Sequence, residues 1–86
     1  MPGYPPLRLD ELPLRRPAAV TAIAWEALSP GEARRLRELG LDEGVAVESL
    51  HRGPFGLDPI ACRIGRMTIA LRRRTASAVT VALAAA

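Results

Sequence analysis

Gly65-Arg66 stands between two alternating runs, and this arrangement restricts the fold more than any other part of the chain. Before it, Ile60, Cys62 and Ile64 alternate with Ala61 and Arg63; after it, Met67, Ile69 and Leu71 alternate with Thr68, Ala70 and Arg72. A two-residue loop led by glycine matches a type II′ turn, since glycine takes the positive φ of the first loop position without steric cost. That turn sets Ile64 opposite Met67, Cys62 opposite Ile69 and Ile60 opposite Leu71. All three pairs then share one face, and a slip of one residue would misplace every one of them. The spacing predicts a small, mainly β protein built on an antiparallel sheet or barrel.

At 86 residues the chain is read as one domain, and a domain of this size buries only roughly 60–65% of its unfolded surface. So small a core leaves little room for a deep cleft, which makes binding at the surface the expectation. The single cysteine excludes an internal disulfide and suits a reducing compartment. The opening Met1-Pro2-Gly3-Tyr4-Pro5-Pro6 has no apolar stretch of the kind a secretory signal needs. The Ala/Val-rich tail after Ser77 is far shorter than the ~20 residues of a membrane-spanning helix. A cytoplasmic protein is expected.

All twelve basic residues are arginine, against nine acidic ones, for a net charge of +3. That balance permits nucleic-acid binding, yet the acidic residues are interspersed with the basic ones. Aromatics are limited to Tyr4, Trp25 and Phe55, whereas a single-strand surface needs aromatic platforms for the bases. Nucleic acid is therefore an alternative partner, not the leading one.

Elsewhere the signals are local and mutually consistent. Leu7-Arg8-Leu9 alternates briefly as a first strand. Pro17 to Trp25 is a second β candidate in which Val20 and Ile23 have opposite parity, so a bulge between them is required for both to point inward. Pro30 to Glu38 reads as a helix: Ser29 at the N-cap, Pro30 at the first helical position and Glu32 three residues after Ser29 compose a capping box. Gly40 ends it, and Leu41 is placed to fold back on Leu36 in a Schellman motif. Ala33, Leu36, Leu39 and the stem of Arg37 are expected to face the sheet, with Arg34, Arg35 and Glu38 in solvent. Asp42-Glu43-Gly44 reads as a turn before a strand with Val45, Val47 and either Ser49 or Leu50. Gly53 to Pro59 reads as a long loop, Arg72 to Ser77 as a short turn, and Val79, Val81 and Leu83 as the closing strand. Residues 7–84 would form the domain, with residues 1–6 and 85–86 frayed.

These pieces, in this order, resemble the FeoA family. The matching residues are Leu9-Asp10-Glu11-Leu12, the helix end Arg35-Leu36-Arg37-Glu38-Leu39-Gly40-Leu41 and Gly44-Val45-Ala46-Val47. They continue with Pro54-Phe55-Gly56, Asp58-Pro59-Ile60 and Ile69-Ala70-Leu71-Arg72, so that the resemblance runs from about Leu7 to Val81. It implies a small SH3-like antiparallel barrel with one inserted α-helix. It also implies a non-enzymatic accessory to the cytosolic part of the FeoB-type ferrous iron transporter. A similar module ends some iron-dependent transcriptional regulators, but no helix-turn-helix segment accompanies it here. Family members often carry glycine in the turn before the second strand, where this chain has Arg15-Arg16-Pro17. Many also run from glycine straight into Asp-Pro-Ile, whereas Leu57 intervenes here.

No catalytic constellation is legible, and no catalytic residue or cofactor is expected. His51 stands alone, and Cys62 shares the parity of Ile60 and Ile64, so a closed metal site lacks ligands. Gly53-Pro54-Phe55-Gly56 has the Gly-x-x-Gly spacing of KH domains, but that loop joins helices whereas this one lies between strands. The candidate partner-binding residues are Phe55 and Leu57, apolar in a Pro/Gly-rich loop, with Arg72, Arg73 and Arg74. Guanidinium groups pair with carboxylates in a bidentate geometry, so the arginine run would suit acidic groups on a partner. Exposed sheet edges leave a homo-oligomer open as well.

Overall fold

The computed structural model describes residues 6–55 and 58–84, apart from the side chains of Pro54 and Phe55. The expected fraying of residues 1–6 and 85–86 lies, apart from Pro6, outside the described residues. Strands β1 (Leu7–Arg8), β2 (Ala18–Ile23), β3 (Ala46–Phe55), β4 (Asp58–Ile64), β5 (Met67–Leu71) and β6 (Val79–Leu83) form one antiparallel sheet. Helix α1 (Pro30–Glu38) is inserted between β2 and β3, and α2 (Arg73–Ala76) is a single turn between β5 and β6. The strand order β1-β6-β2-β3-β4-β5 gives the SH3-like fold in an open form, with β1 and β5 as its edges. Its core holds Leu9, Leu12, Leu36, Leu41, Ile60 and Ile64, all but excluded from solvent, together with Val20, Val79 and Val81.

The β4–β5 hairpin has the register that its turn dictates: Ile60 opposes Leu71, Cys62 opposes Ile69 and Ile64 opposes Met67. Gly65 has φ +59°, and Arg66 stays out of the positive-φ region, as a type II′ turn requires. The inward face is not apolar and buried throughout, however. Met67 is 42% exposed, at the turn end of the hairpin where Gly65, Arg66 and Thr68 are exposed too.

The parity conflict in β2 is resolved by a bulge, with a register shift against β6 between Val20 and Ala22. The extra residue, Thr21, anchors it by donating from Oγ1 to the carbonyl of Thr80 at 3.3 Å. Helix α1 begins and ends on its local signals. Ser29 Oγ accepts from the Glu32 N–H at 3.1 Å and Glu32 Oε1 accepts from the Ser29 N–H at 3.0 Å. At the other end Leu41 N–H reaches Leu36 O, and Gly40 N–H reaches Arg37 O, both at 3.0 Å. This is the paired bonding of a Schellman motif around a glycine at φ +82°. Arg37 lies over Trp25, its guanidinium carbon 4.3 Å from the ring centroid.

The segment Gly53–Pro59 is not a long loop. Strand β3 continues through Gly53 and Pro54 to Phe55, and β4 starts at Asp58, so only residues 56–57 separate them. Two register shifts, between Ser49 and His51 and between Arg52 and Phe55, each place one extra residue in β3. Bulges tolerate a proline because the missing N–H falls where the ladder is already interrupted. Of Ser49 and Leu50, Ser49 is the buried one, at 1% exposure, because it keeps the alternation of Val47 ahead of the first shift, where Leu50 is the extra residue.

Candidate partner-binding site

The five residues expected to meet a partner fall into two groups. Phe55 ends β3 and pairs with Asp58 through the backbone, while its side chain and the whole of Leu57 lie outside the described residues. Arg72, Arg73 and Arg74 are exposed at the start of α2. The two regions meet at one end of the sheet, because Asp58 Oδ1 accepts the Arg73 N–H at 2.9 Å. That bond holds the tip of the β3–β4 hairpin against the first turn of α2.

Beside this junction a groove of about 400 Å³ separates α1 from β5. Leu36, Leu71, Ala70 and Pro59 supply apolar lining, while Arg35 from α1 and Arg72 from just past the end of β5 add basic residues. Arg35 is exposed, as the helix pattern implies, and it also lines the groove. Nothing in its sequence neighbourhood announces a partner across 37 residues of chain, so the pairing of Arg35 with Arg72 is visible only in three dimensions.

Glu32 also lines this groove. Besides closing the capping box it accepts a bond from Thr75 Oγ1 through Oε2 at 2.7 Å. The Ser29 N–H, the Thr75 hydroxyl and the Ser29 side chain together stabilise the carboxylate, and the Arg74 charge adds to this, bringing its pKa down to about 2. The groove's one carboxylate therefore has both oxygens engaged within the protein.

The charge of this region follows from sequence order. Every acidic residue lies at or before Asp58, whereas Arg63, Arg66, Arg72, Arg73 and Arg74 all follow it. Arg63 is offset by Glu48 across the β3–β4 ladder, at 3.3 Å. The β5 edge and α2 accordingly carry Arg66, Arg72, Arg73 and Arg74, which outnumber Asp58 and Glu32, whose carboxylates are bonded to α2.

His51 is exposed in β3, whereas Cys62 is fully buried. Burial pushes the Cys62 thiol up to about 11, which keeps it protonated and unreactive at neutral pH. Among the described residues no three histidine, cysteine, aspartate or glutamate side chains gather as metal ligands. No described helix is long and apolar enough to cross a membrane. A second groove, of about 380 Å³, lies beside Trp25, Arg37 and Leu41. The ring contact between Arg37 and Trp25 already forms its wall.

The model of the FeoA domain matches residues 7–83. Among solved structures the chain is similar to the FeoA protein of Chlorobium tepidum, with 35% identity and a TM-score of 0.79 over 92% of this chain and 71% of that one. It is 37% identical to the FeoA of Stenotrophomonas maltophilia, with a TM-score of 0.74 over 87% of this chain and 88% of that one. That protein was solved in complex with zinc and is described as a procaryotic SH3 domain protein, a candidate bacterial ferrous iron transport activating factor. A manganese-dependent transcriptional repressor superimposes with a TM-score of 0.81 at 23% identity, over 96% of this chain and 44% of the repressor. At that identity the likeness is one of fold alone. Comparison with curated proteins gives no match. With the domain match spanning the whole sheet from β1 to β6, this chain belongs to the FeoA family, a family linked to ferrous iron transport.

Proposed function

We propose that this protein is a non-enzymatic accessory of ferrous iron uptake, a single module over residues 7–84 that works in the cytoplasm by binding the cytosolic part of a FeoB-type transporter. The observation that carries the reading is family membership over the full sheet, residues 7–83. The surface is consistent with it. The molecule offers a groove with arginines at its rim. In this reading ferrous iron is the cargo of the transporter, and the protein acts on the transporter itself.

Two measurements test it. Ferrous iron uptake is followed under iron limitation in cells lacking the gene, with and without the gene restored. Binding of the purified protein to the purified cytosolic part of the transporter is measured by calorimetry. A loss of uptake rescued by the intact gene, together with direct binding, is the expected result. Normal uptake in the deletion strain would leave the family likeness as one of fold without shared function.

A further inference from the structure

Strand β5 is an edge, and among the described residues no strand lies beyond it. Which of its backbone groups are free follows from one hydrogen bond on the far side of β4. Gly65 donates its N–H to Ala46 O at 3.0 Å, so Gly65 and Arg63 direct their backbone groups to β3, whereas Ile64 and Cys62 direct theirs to β5. Bonded and non-bonded pairs alternate along an antiparallel ladder. Met67 and Ile69, opposite Ile64 and Cys62, therefore bond to β4, and Thr68 and Ala70 turn their N–H and C=O groups to the open edge. Ala70 is also part of the groove, whose apolar floor is Leu36 and Leu71 and whose rim carries Arg35 and Arg72.

We infer that this groove takes an extended, acidic segment of a partner protein, which pairs with Thr68 and Ala70 as a seventh strand and seats an apolar side chain against the exposed Pro59 and Ala70, above the buried Leu36 and Leu71. Addition of a strand to an open sheet edge supplies affinity through main-chain bonds and specificity through pockets for alternate side chains. The arginines decide the chemistry of the occupant. Arg66 and Arg72 flank the edge strand, with Arg35 across the groove and Arg74 beside it, so alternating carboxylates would find a guanidinium at either end. The same charges argue against a second copy of this chain. Antiparallel pairing of two β5 strands centred on Ile69 would set Arg66 directly against the other copy's Arg72, and like charges opposite one another destabilise a sheet. Glu32 sets one negative charge in the groove, but Arg35 and Arg72 on its rim and Arg74 beside it outnumber that charge, so the balance still favours an acidic segment. The inference rests on the accessory reading above and names the surface that reading leaves open.

The full chain, labelled with nitrogen-15, is titrated with a blocked ten-residue peptide alternating glutamate and valine, and with the same peptide carrying lysine for glutamate. The acidic peptide should move the amide signals of Thr68, Ala70, Arg72 and Arg35, and the lysine peptide should not. Ala70→Pro removes the outward N–H at a place where an edge strand tolerates proline, and should weaken the acidic peptide at least tenfold. Arg72→Glu, at an exposed side chain, should do the same and keeps the test alive if the proline variant does not fold. No movement at millimolar peptide, movement confined to other residues, or equal binding of both peptides would overturn the inference. So would a duplex DNA that moves the same signals more strongly than the peptide, with an affinity falling steeply with salt. The transporter's cytosolic part is titrated separately. Its binding to Arg72→Glu and wild type alike overturns the groove and leaves the accessory reading standing. Peptide binding without transporter binding overturns the accessory reading and leaves the groove.

Discussion

Glu32 and Thr75, 43 positions apart in the chain, are joined by a 2.7 Å hydrogen bond in which the threonine hydroxyl donates to the carboxylate. Through the same carboxylate Glu32 caps its own helix at Ser29. One side chain thus fastens the start of α1 to α2 across the candidate groove. The bond is shielded on the threonine side, where Thr75 is 6% exposed.

The Glu32 carboxyl predicts an acid-side loss of stability. Its folded pKa is lowered from 4.5 to about 2, so the unfolded chain binds the proton more tightly. The contribution is complete above the unfolded value and disappears as pH falls from about 4.5 through about 2. Urea unfolding at pH 6, 4.5, 3 and 2 should show wild type losing stability across that interval. Glu32→Gln should start lower at pH 6 and lose less. Parallel curves for the two proteins would refute the assignment.

Ser49 is the buried side chain whose hydroxyl finds no partner among the described residues. A hydroxyl without a partner in a core forfeits its hydration and receives nothing in exchange. Ser49→Ala should therefore raise stability, by about 1 kcal/mol, with an unchanged denaturant slope. A loss of similar size would mean that the hydroxyl is bonded after all.

Gly53 is required by contact. A Cβ built on it would stand 2.6 Å from the carbonyl oxygen of Asp58 and 2.9 Å from Cδ of Pro59. Backbone cannot yield as a flexible side chain can, so Gly53→Ala should cost about 1–3 kcal/mol. Gly31→Ala is the control, because a Cβ there meets nothing and alanine favours the helix by up to about 1 kcal/mol. Thermal unfolding of the two variants should move in opposite directions.

Arg15 adopts φ +61°, a conformation otherwise taken among the described residues only by Gly40, Gly44 and Gly65. It sits in the Arg15-Arg16-Pro17 turn where other family members often carry glycine, and its N–H is tied to Ser49 O at 2.7 Å. Left-handed backbone costs a residue with a side chain about 1–2 kcal/mol, partly offset because glycine gains more freedom on unfolding. Arg15→Gly should raise the midpoint of thermal unfolding, with a net gain of up to about 1 kcal/mol. A lower midpoint would indicate that the arginine side chain contributes contacts that outweigh the strain.

What the residues determined by themselves was whatever depends on neighbours in the chain. The β4–β5 register follows from Gly65-Arg66, the limits of α1 from Ser29, Pro30, Glu32 and Gly40, and the bulge in β2 from the clash of parity between Val20 and Ile23. Each is a local energy that no distant contact reverses, and Cys62 takes its place in the core by parity alone. The tertiary structure decided the rest. Strand β3 runs through Gly53 and Pro54 because β4 lies alongside to receive it, and that pairing makes Leu50 the extra residue of a bulge, whereas Ser49 is buried by plain alternation from Val47. The groove required Arg35 and Arg72, Leu36 and Leu71 to arrive from separate elements. Alternation and capping report only which way a side chain points along its own strand or helix; what stands opposite is set when the core closes and brings distant segments together.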